Sequence, residues 1–158
     1  MRALENPRGT GLFAAQTLGR LKKTTLKTWF DEVCPPPLVE SYNKSDGIIE
    51  LINGFKIFVT ATDEEQKIRS MTLGLAHIEE ISGIKKSIYT QVQSRMRDQN
   101  VANKAIIVCS NPANTWIKDT FVDNEKRKDP NHPQHVDYNP YMRTYIWETK
   151  LNKYLPLS

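Results

Sequence analysis

The chain has 158 residues and a mass of 18.2 kDa, the size of one ordinary domain or of one domain with a tail. Hydrophobic residues make up 39% of it and charged residues 25%, which excludes disordered, collagen-like and coiled-coil chains. No apolar run approaches the roughly 20 residues of a membrane helix, and no secretory signal is visible. We therefore expect no membrane contact and a cytoplasmic location, in which both cysteines stay reduced.

The net charge of +4 is concentrated near the start of the chain. Residues 1–30 carry six basic side chains against Glu5 alone. Such a cluster is either the solvated face of a helix or a surface that faces phosphates. On the second interpretation, the candidate DNA-binding residues are Arg20, Lys22, Lys23 and Lys27.

The first half of the chain predicts a strand, a long helix and a hairpin. Residues 11–16 are small and apolar, as in a short buried strand. Residues 18–33, the basic segment, carry apolar side chains at helical spacing and precede three consecutive prolines that end the helix. Residues 47–60 place Asn53-Gly54 between two apolar runs, the pattern of a β-hairpin with a type I′ turn.

The second half predicts two more strands around a helix. Residues 73–78 and 104–109 are apolar strands, and residues 85–98 form the helix between them. Residues 122–139 are charged and contain prolines, which predicts a loop, and residues 141–147 predict a late strand. Strands that alternate with helices predict an α/β fold, with a mostly parallel sheet, helices on its faces and one hairpin.

Polar side chains follow two neighbouring strands of this predicted sheet. Glu79 and Glu80 end the strand at 73–78, and Ser110 and Asn111 end the next one about 30 residues later, the length of one strand–helix–strand unit. Ligands bind at the carboxyl ends of strands in open α/β sheets. Glu79 is then suited to hold Mg²⁺ and Glu80 to orient or deprotonate a water molecule. The alternative is that both acids only stabilise the start of a helix.

Other polar side chains carry weaker signals. The group Asp129, His132, His135 and Asp137 has ligand chemistry but no complete zinc spacing, so we expect a plain loop. We expect His77 to be a core histidine, because it lies within an apolar strand.

The order of several motifs resembles the ATPase domain of tailed-phage terminase large subunits, the motors that pump DNA into empty capsids. The resemblance covers about residues 10–122. It is carried by Asn53-Gly54-Phe55-Lys56-Ile57 with Arg69, Gly74-Leu75-Ala76-His77-Ile78-Glu79-Glu80, Gln93-Ser94-Arg95-Met96-Arg97, Ile106–Cys109, and Ser110-Asn111-Pro112.

The resemblance implies a role for each strand-end residue. Glu79 takes the position of the metal-site acid of the Walker B motif, and Glu80 that of the catalytic glutamate. Ser110 and Asn111 match the motif that couples hydrolysis to movement.

It also implies an arginine that reaches the nucleotide of a neighbouring subunit. Arg69, 11 residues before Glu80, is the first candidate, with surface charge as the alternative. Arg95 is the second, with a solvated residue or a structural ion pair as the alternative.

The resemblance further implies ATP and Mg²⁺ as cofactors and the cytoplasm of the host cell as the location. The implied partners are double-stranded DNA, sister large subunits in a ring, the small terminase subunit and the capsid portal. Residues 1–122 would be a partial ATPase domain, and residues 123–158 the end of that domain or a linker toward an absent nuclease domain.

The sequence departs from the family in one respect that bears on activity. It contains no phosphate-binding loop of the form G-x-x-x-x-G-K-[ST]. We therefore expect an internal piece of a large subunit, from a split gene, a truncated prophage gene or a partially recorded sequence, that lacks a central strand and does not hydrolyse ATP alone. The alternatives are a non-catalytic DNA-binding or assembly module that uses the basic segment, and a degenerate remnant.

Overall fold

The computed structural model describes residues 2–111 and 114–145, and the chain divides into two compact units, Met1–Asn111 and Pro112–Ser158. The boundary between the units lies eleven residues before the domain boundary predicted at 122. No helix among the described residues has the length and apolar character needed to cross a bilayer.

A six-stranded sheet forms the frame of the first unit. Its strand order is β2-β3-β4-β1-β5-β6. The neighbours β4, β1, β5 and β6 run parallel, whereas β3 runs antiparallel to both β2 and β4. The predicted α/β class, with a mostly parallel sheet and an antiparallel hairpin, is confirmed, and β2 and β3 form a second hairpin that the sequence did not predict. The strands are β1 Thr10–Ala15, β2 Val39–Asn43, β3 Ile48–Leu51, β4 Lys56–Ala61, β5 Leu75–Ile78 and β6 Ala105–Val108.

Helical segments connect the strands. The predicted helix over 18–33 forms as three consecutive segments, namely α1, α2 and a π-helical turn at Trp29–Val33, with non-helical backbone angles at Thr24 between α1 and α2. The α-helices of this unit are α1 Leu18–Lys23, α2 Thr25–Thr28, α3 Glu65–Ser70 and α4 Lys86–Arg95, and 3₁₀ turns lie at Pro36–Leu38 and Ile81–Gly83.

The direction of the connections locates a crevice. After β1 the chain continues to β2, on the β4 side of β1, whereas after β5 it continues to β6, on the other side of the sheet. The connections of the two adjacent parallel strands β1 and β5 therefore run in opposite directions. Right-handed crossovers then put α1 and α2 on one face of the sheet and α3 and α4 on the other. Leu21 and Trp29 accordingly share a core with Ala15, Ile57 and Val59. The carboxyl ends of β1 and β5 are therefore the expected ligand site.

The hairpin between β3 and β4 forms as predicted, but its turn differs from the predicted type I′. Residues 52–54 connect the strands, because Leu51 and Phe55 still pair through the Leu51 N–H. Of these three residues only Gly54 has a positive φ, of 76°. This is the three-residue connection with a glycine bulge. The Asn53 amide instead donates to the carbonyls of Ala3 and Leu4, which ties the turn to the start of the chain.

The start of β1 is fixed by a buried carboxylate. Asp98 is 5% exposed and accepts hydrogen bonds from the backbone N–H groups of Thr10 (2.7 Å) and Asn100 (2.9 Å). Helix α4 ends at Arg95, before the predicted end at 98, and the Leu73 N–H donates to the Arg95 carbonyl. Gly74 lies so close to Val101 that an added β-carbon would lie 2.2 Å from its nearest methyl group.

The second unit, described over 114–145, is helical and irregular. It contains a π-helical turn at Lys118–Val122, α5 at Asp123–Lys126 and a 3₁₀ turn at His135–Asp137. The last two lie within the segment 122–139 that was predicted as a loop. The predicted late strand at 141–147 is wrong over residues 141–145, and its last two residues lie outside the described part. The Thr144 N–H donates to the Glu125 carboxylate, and the Thr144 hydroxyl donates to the Phe121 carbonyl, so side chains and a local carbonyl replace a strand partner.

Candidate functional site at the ends of β5 and β6

The two predicted pairs, Glu79-Glu80 and Ser110-Asn111, lie on neighbouring strand ends. Strands β5 and β6 are parallel, and their last paired residues are Ile78 and Val108. Beyond the strands, the Cys109 N–H donates to the Ile78 carbonyl, and the Ile81 N–H donates to the Cys109 carbonyl. The Ser110 hydroxyl accepts the Ser82 N–H at 3.2 Å and donates to the Asn111 carbonyl at 2.9 Å.

Glu80 adopts an unusual backbone conformation. Its φ and ψ are 48° and 54°, in the left-handed region, and the 3₁₀ turn Ile81–Gly83 follows directly. A residue with a β-carbon is strained there, and such strain is concentrated at functional sites. The reversal places the Glu80 carboxylate in an ion pair with the Arg20 guanidinium of α1. A predicted catalytic residue and a predicted DNA-binding residue thus contact each other.

Glu79 lies among three polar side chains. Its Oε2 atom accepts a hydrogen bond from the Thr25 hydroxyl of α2 at 3.2 Å and lies 3.0 Å from His77 Nε2. The Cys109 thiol lies close by, with one ligand atom from each of His77, Glu79 and Cys109 within 4.8 Å of the others. Burial, and secondly the Glu79 charge, raise the pKa of the Cys109 thiol. His77 is half-buried and part of this group, so the prediction of a core histidine does not describe it.

The two candidate arginines lie elsewhere. Arg69 is exposed in the last turn of α3 and forms an ion pair with Glu65. The Arg95 carbonyl contacts Leu73, which precedes Glu79 by six residues, or about 20 Å of extended chain. The Arg95 backbone therefore lies at the amino end of β5, whereas the carboxylates of Glu79 and Glu80 lie at its carboxyl end.

The basic segment divides into paired and unpaired members. Arg20 contacts Glu80, and Lys27 forms an ion pair with Asp31, which raises the Lys27 pKa through a hydrogen bond and charge. Lys23 is exposed. A groove of about 470 Å³ beside this segment is lined by three lysines, two aromatic rings and a leucine: Lys22, Lys27, Lys44, Phe30, Tyr42 and Leu26.

The acidic and histidine residues of the second unit make local contacts. The Asp129 carboxylate accepts the Asn131 N–H, and His132 Nδ1 accepts the Gln134 N–H. His135 Nδ1 lies 2.7 Å from the Arg127 carbonyl. These contacts are consistent with the expected plain loop; the group found with metal-ligand geometry among the described residues is His77, Glu79 and Cys109.

Sequence reasoning missed Arg20 as a partner of Glu80, and Thr25 and Cys109 as neighbours of Glu79. Thr25 and Arg20 belong to the helical segment that follows β1, and no local pattern states that this segment crosses the end of β5. Cys109 did leave a signal, because it follows the apolar run of β6 at the position opposite Glu79.

Comparison with known protein families identifies the chain's relatives. Residues 38–156 match the family described as phage terminase large subunit. The chain belongs to this family. The resemblance inferred from the motifs is thereby confirmed, whereas the roles of the individual site residues remain predictions. No curated protein matches the chain significantly.

Solved structures show the same fold as this terminase chain. The large terminase of a thermophilic bacteriophage is similar over 76% of the chain, with 18% identity and a TM-score of 0.61. Its complexes with ADP and with ATP-γ-S are similar with TM-scores of 0.56 and 0.57, at 22% and 20% identity, again over 76% of the chain. The terminase chain spans less than a third of their length, namely 31% of the first and 30% of the two complexes.

Proposed function

We propose that the chain is part of a DNA-packaging motor that couples ATP hydrolysis to the movement of double-stranded DNA into a capsid. The observation that supports this most is the convergence of Glu79 and Glu80 with Ser110 and Asn111 at adjacent ends of β5 and β6. Family membership and the nucleotide complexes of the similar thermophilic phage terminase add to it. The proposed partners are sister large subunits, the small terminase subunit and the capsid portal. The proposed location is the cytoplasm of the host cell.

The oxygen donors around Glu79 fit the Mg²⁺ ion that this proposal requires. Mg²⁺ is usually held by one or two carboxylates, together with water and substrate phosphates. Glu79 supplies a carboxylate, and the Thr25 hydroxyl that contacts it keeps that carboxylate oriented. When bound, Mg²⁺ neutralises charge on the phosphate oxygens.

Glu80 is proposed to orient and deprotonate the attacking water. Its carboxylate is paired with Arg20, so the pair must open before Glu80 can accept a proton. Ser110 is proposed to transmit the change, because its hydroxyl accepts the N–H of Ser82 in the turn that follows Glu80.

The described residues do not include the loop that normally binds the β- and γ-phosphates. The sequence has no phosphate-binding loop, so no step through the β- and γ-phosphates is assigned to these residues. Strand β6 is the last in the sheet order, and its residue Ile107 is 58% exposed. We propose that a further strand with its phosphate-binding loop, supplied by a segment outside the 158 residues, pairs with this edge, on which no strand lies among the described residues.

An arginine acting between subunits is also part of the proposal. Arg69 is suited to it because it is exposed on α3. Arg95 is the second candidate for action on a neighbouring subunit, because its carbonyl contacts Leu73, which lies about 20 Å along the strand from Glu79 of its own chain.

A second candidate function is a non-catalytic DNA-binding module. The groove beside the basic segment favours it, since lysines bind phosphates and aromatic rings stack on bases. Lys22 and Lys44 are the side chains to test, because Arg20 and Lys27 already pair with acids.

The two functions are separated by one set of measurements on the full chain. The chain is mixed with a polypeptide that carries the phosphate-binding loop, and ATP turnover is measured for the original chain, Glu80→Gln and the matched exposed control Glu40→Gln. We expect Glu80→Gln to lose about 10²–10⁴-fold in rate, as for loss of a general base, and Glu40→Gln to lose none. Turnover that survives Glu80→Gln contradicts the motor proposal. A salt-dependent loss of DNA affinity in Lys22→Gln/Lys44→Gln, with no turnover in any sample, favours the module.

A further inference from the structure

Three side chains with different ligand atoms lie on one face of the sheet, where β5 and β6 end. His77 and Glu79 are two residues apart in β5 and its extension, so both point to the same face. Cys109 follows β6 directly opposite Glu79, because Ile78 and Val108 are the preceding pair. The strand register therefore brings the three together without help from a loop.

The distances suit a small ion. One atom from each residue lies within 4.8 Å of the others, and His77 Nε2 lies 3.0 Å from Glu79 Oε2. Zinc bonds of about 2.0–2.3 Å in a tetrahedron separate neighbouring ligand atoms by about 3.3–3.7 Å. Side-chain rotations that draw the thiol inward by about 1 Å close the difference.

Neighbouring side chains hold two of the three ligands in place. The Phe13 ring meets the His77 ring edge-on, with centroids 5.8 Å apart and an interplanar angle of 89°. The Thr25 hydroxyl donates to Glu79. Such outer contacts orient metal ligands and strengthen their binding. The residue Cys109 is exposed although its thiol is partly buried, which leaves a path for an ion to enter.

The chemistry of the donors selects the ion. Mg²⁺ takes oxygen ligands, whereas imidazole nitrogen and thiolate sulfur suit zinc and related transition metals. The proposed ATPase role uses Glu79 and gives no task to His77 or Cys109.

We propose that His77, Glu79 and Cys109 bind a divalent transition-metal ion of the zinc type, with the fourth position of its tetrahedron left to water. On binding, the Cys109 thiol releases its proton to solvent and His77 binds through Nε2, with its proton on Nδ1. Because Glu79 is shared with the proposed magnesium site, an ion held here excludes Mg²⁺ from it.

Cobalt(II) is the probe, since its thiolate complexes absorb in the near ultraviolet by charge transfer. The full chain, kept reduced without added thiols, is titrated with Co²⁺ in the absence of nucleotide, and Zn²⁺ is then added to displace it. We expect a charge-transfer band that is lost in Cys109→Ser and retained in Cys34→Ala, the matched change at the buried cysteine. His77→Gln is expected to weaken Zn²⁺ binding at least about tenfold, and Thr25→Val by about 10–100-fold, as for loss of an outer contact.

The outcomes decide the proposal in either direction. Absence of the band in the original chain, its survival in Cys109→Ser, or its loss in a folded Cys34→Ala overturns it. Circular dichroism establishes that each variant is folded. The titration uses neither ATP nor Glu80, so its failure leaves the motor proposal intact. Turnover that survives Glu80→Gln, which contradicts the motor proposal, leaves the metal site intact in turn.

Discussion

The carboxylate of Asp98 gives the most direct test of how the central strand β1 is fixed. Asp98→Ala removes the acceptor of the Thr10 and Asn100 N–H groups. The Thr10 donor is part-buried, and leaving such a donor unsatisfied costs about 1–3 kcal/mol. Asn100 is exposed and can turn to water, so its loss costs about 0.5–1.5 kcal/mol. We expect the free energy of unfolding to fall by roughly 2–4 kcal/mol.

Thermal and urea unfolding, followed by circular dichroism, measure this change. A loss of that size lowers the melting temperature by about 10 °C in a chain of this length. Asp98→Asn keeps one oxygen but turns an amide N–H₂ toward the other donor. Its stability should therefore lie between those of the original chain and Asp98→Ala, with a loss of about 1–2 kcal/mol. The control Asp63→Ala removes an exposed carboxylate. If Asp98→Ala has the same unfolding midpoints as Asp63→Ala and the original chain, Asp98 is not the anchor of β1.

Two further predictions concern backbone space and charge. Gly74→Ala should destabilise the fold by about 1–3 kcal/mol, because its methyl group would overlap Val101. Gly19→Ala in α1 should stabilise it by about 0.4–1 kcal/mol, because no atom beyond the chain neighbours and the helix's own backbone lies within 4 Å of the new carbon; equal unfolding midpoints would contradict both. Lys67 and the Thr60 hydroxyl lower the Glu64 pKa through hydrogen bonds, so Lys67→Met should raise that pKa in an NMR titration. Since the folded pKa is lowered, this contribution to stability is present above the ordinary carboxyl pKa and is lost as the pH falls through the folded value; an unchanged pKa would show that the pair does not form.

Local patterns were enough to predict the elements whose side chains pack in a simple period. The two strands that end in the polar pairs and the helix between them follow from apolar runs and spacing, and the hairpin follows from Asn53-Gly54. Strand β2 was missed, because Val39–Asn43 has only two half-buried apolar side chains and its pairing with β3 is irregular.

Contacts between distant segments decided what the sequence could not show. The Asn53 amide donates to the carbonyls of Ala3 and Leu4, about 50 residues away, in a turn that is not of the predicted type I′. The pairing of Arg20 with Glu80 joins residues 60 positions apart, and nothing in either local sequence distinguishes it from two solvated charges.

At position 80 the left-handed backbone makes a side chain unfavourable for stability, whereas the proposed catalysis needs the Glu80 carboxylate. A β-carbon there costs about 1–2 kcal/mol that glycine avoids. A library selected only for survival on heating should therefore enrich glycine at position 80 and discard the carboxylate. A library selected for ATP turnover should keep the carboxylate at position 80, although the protein is then less stable.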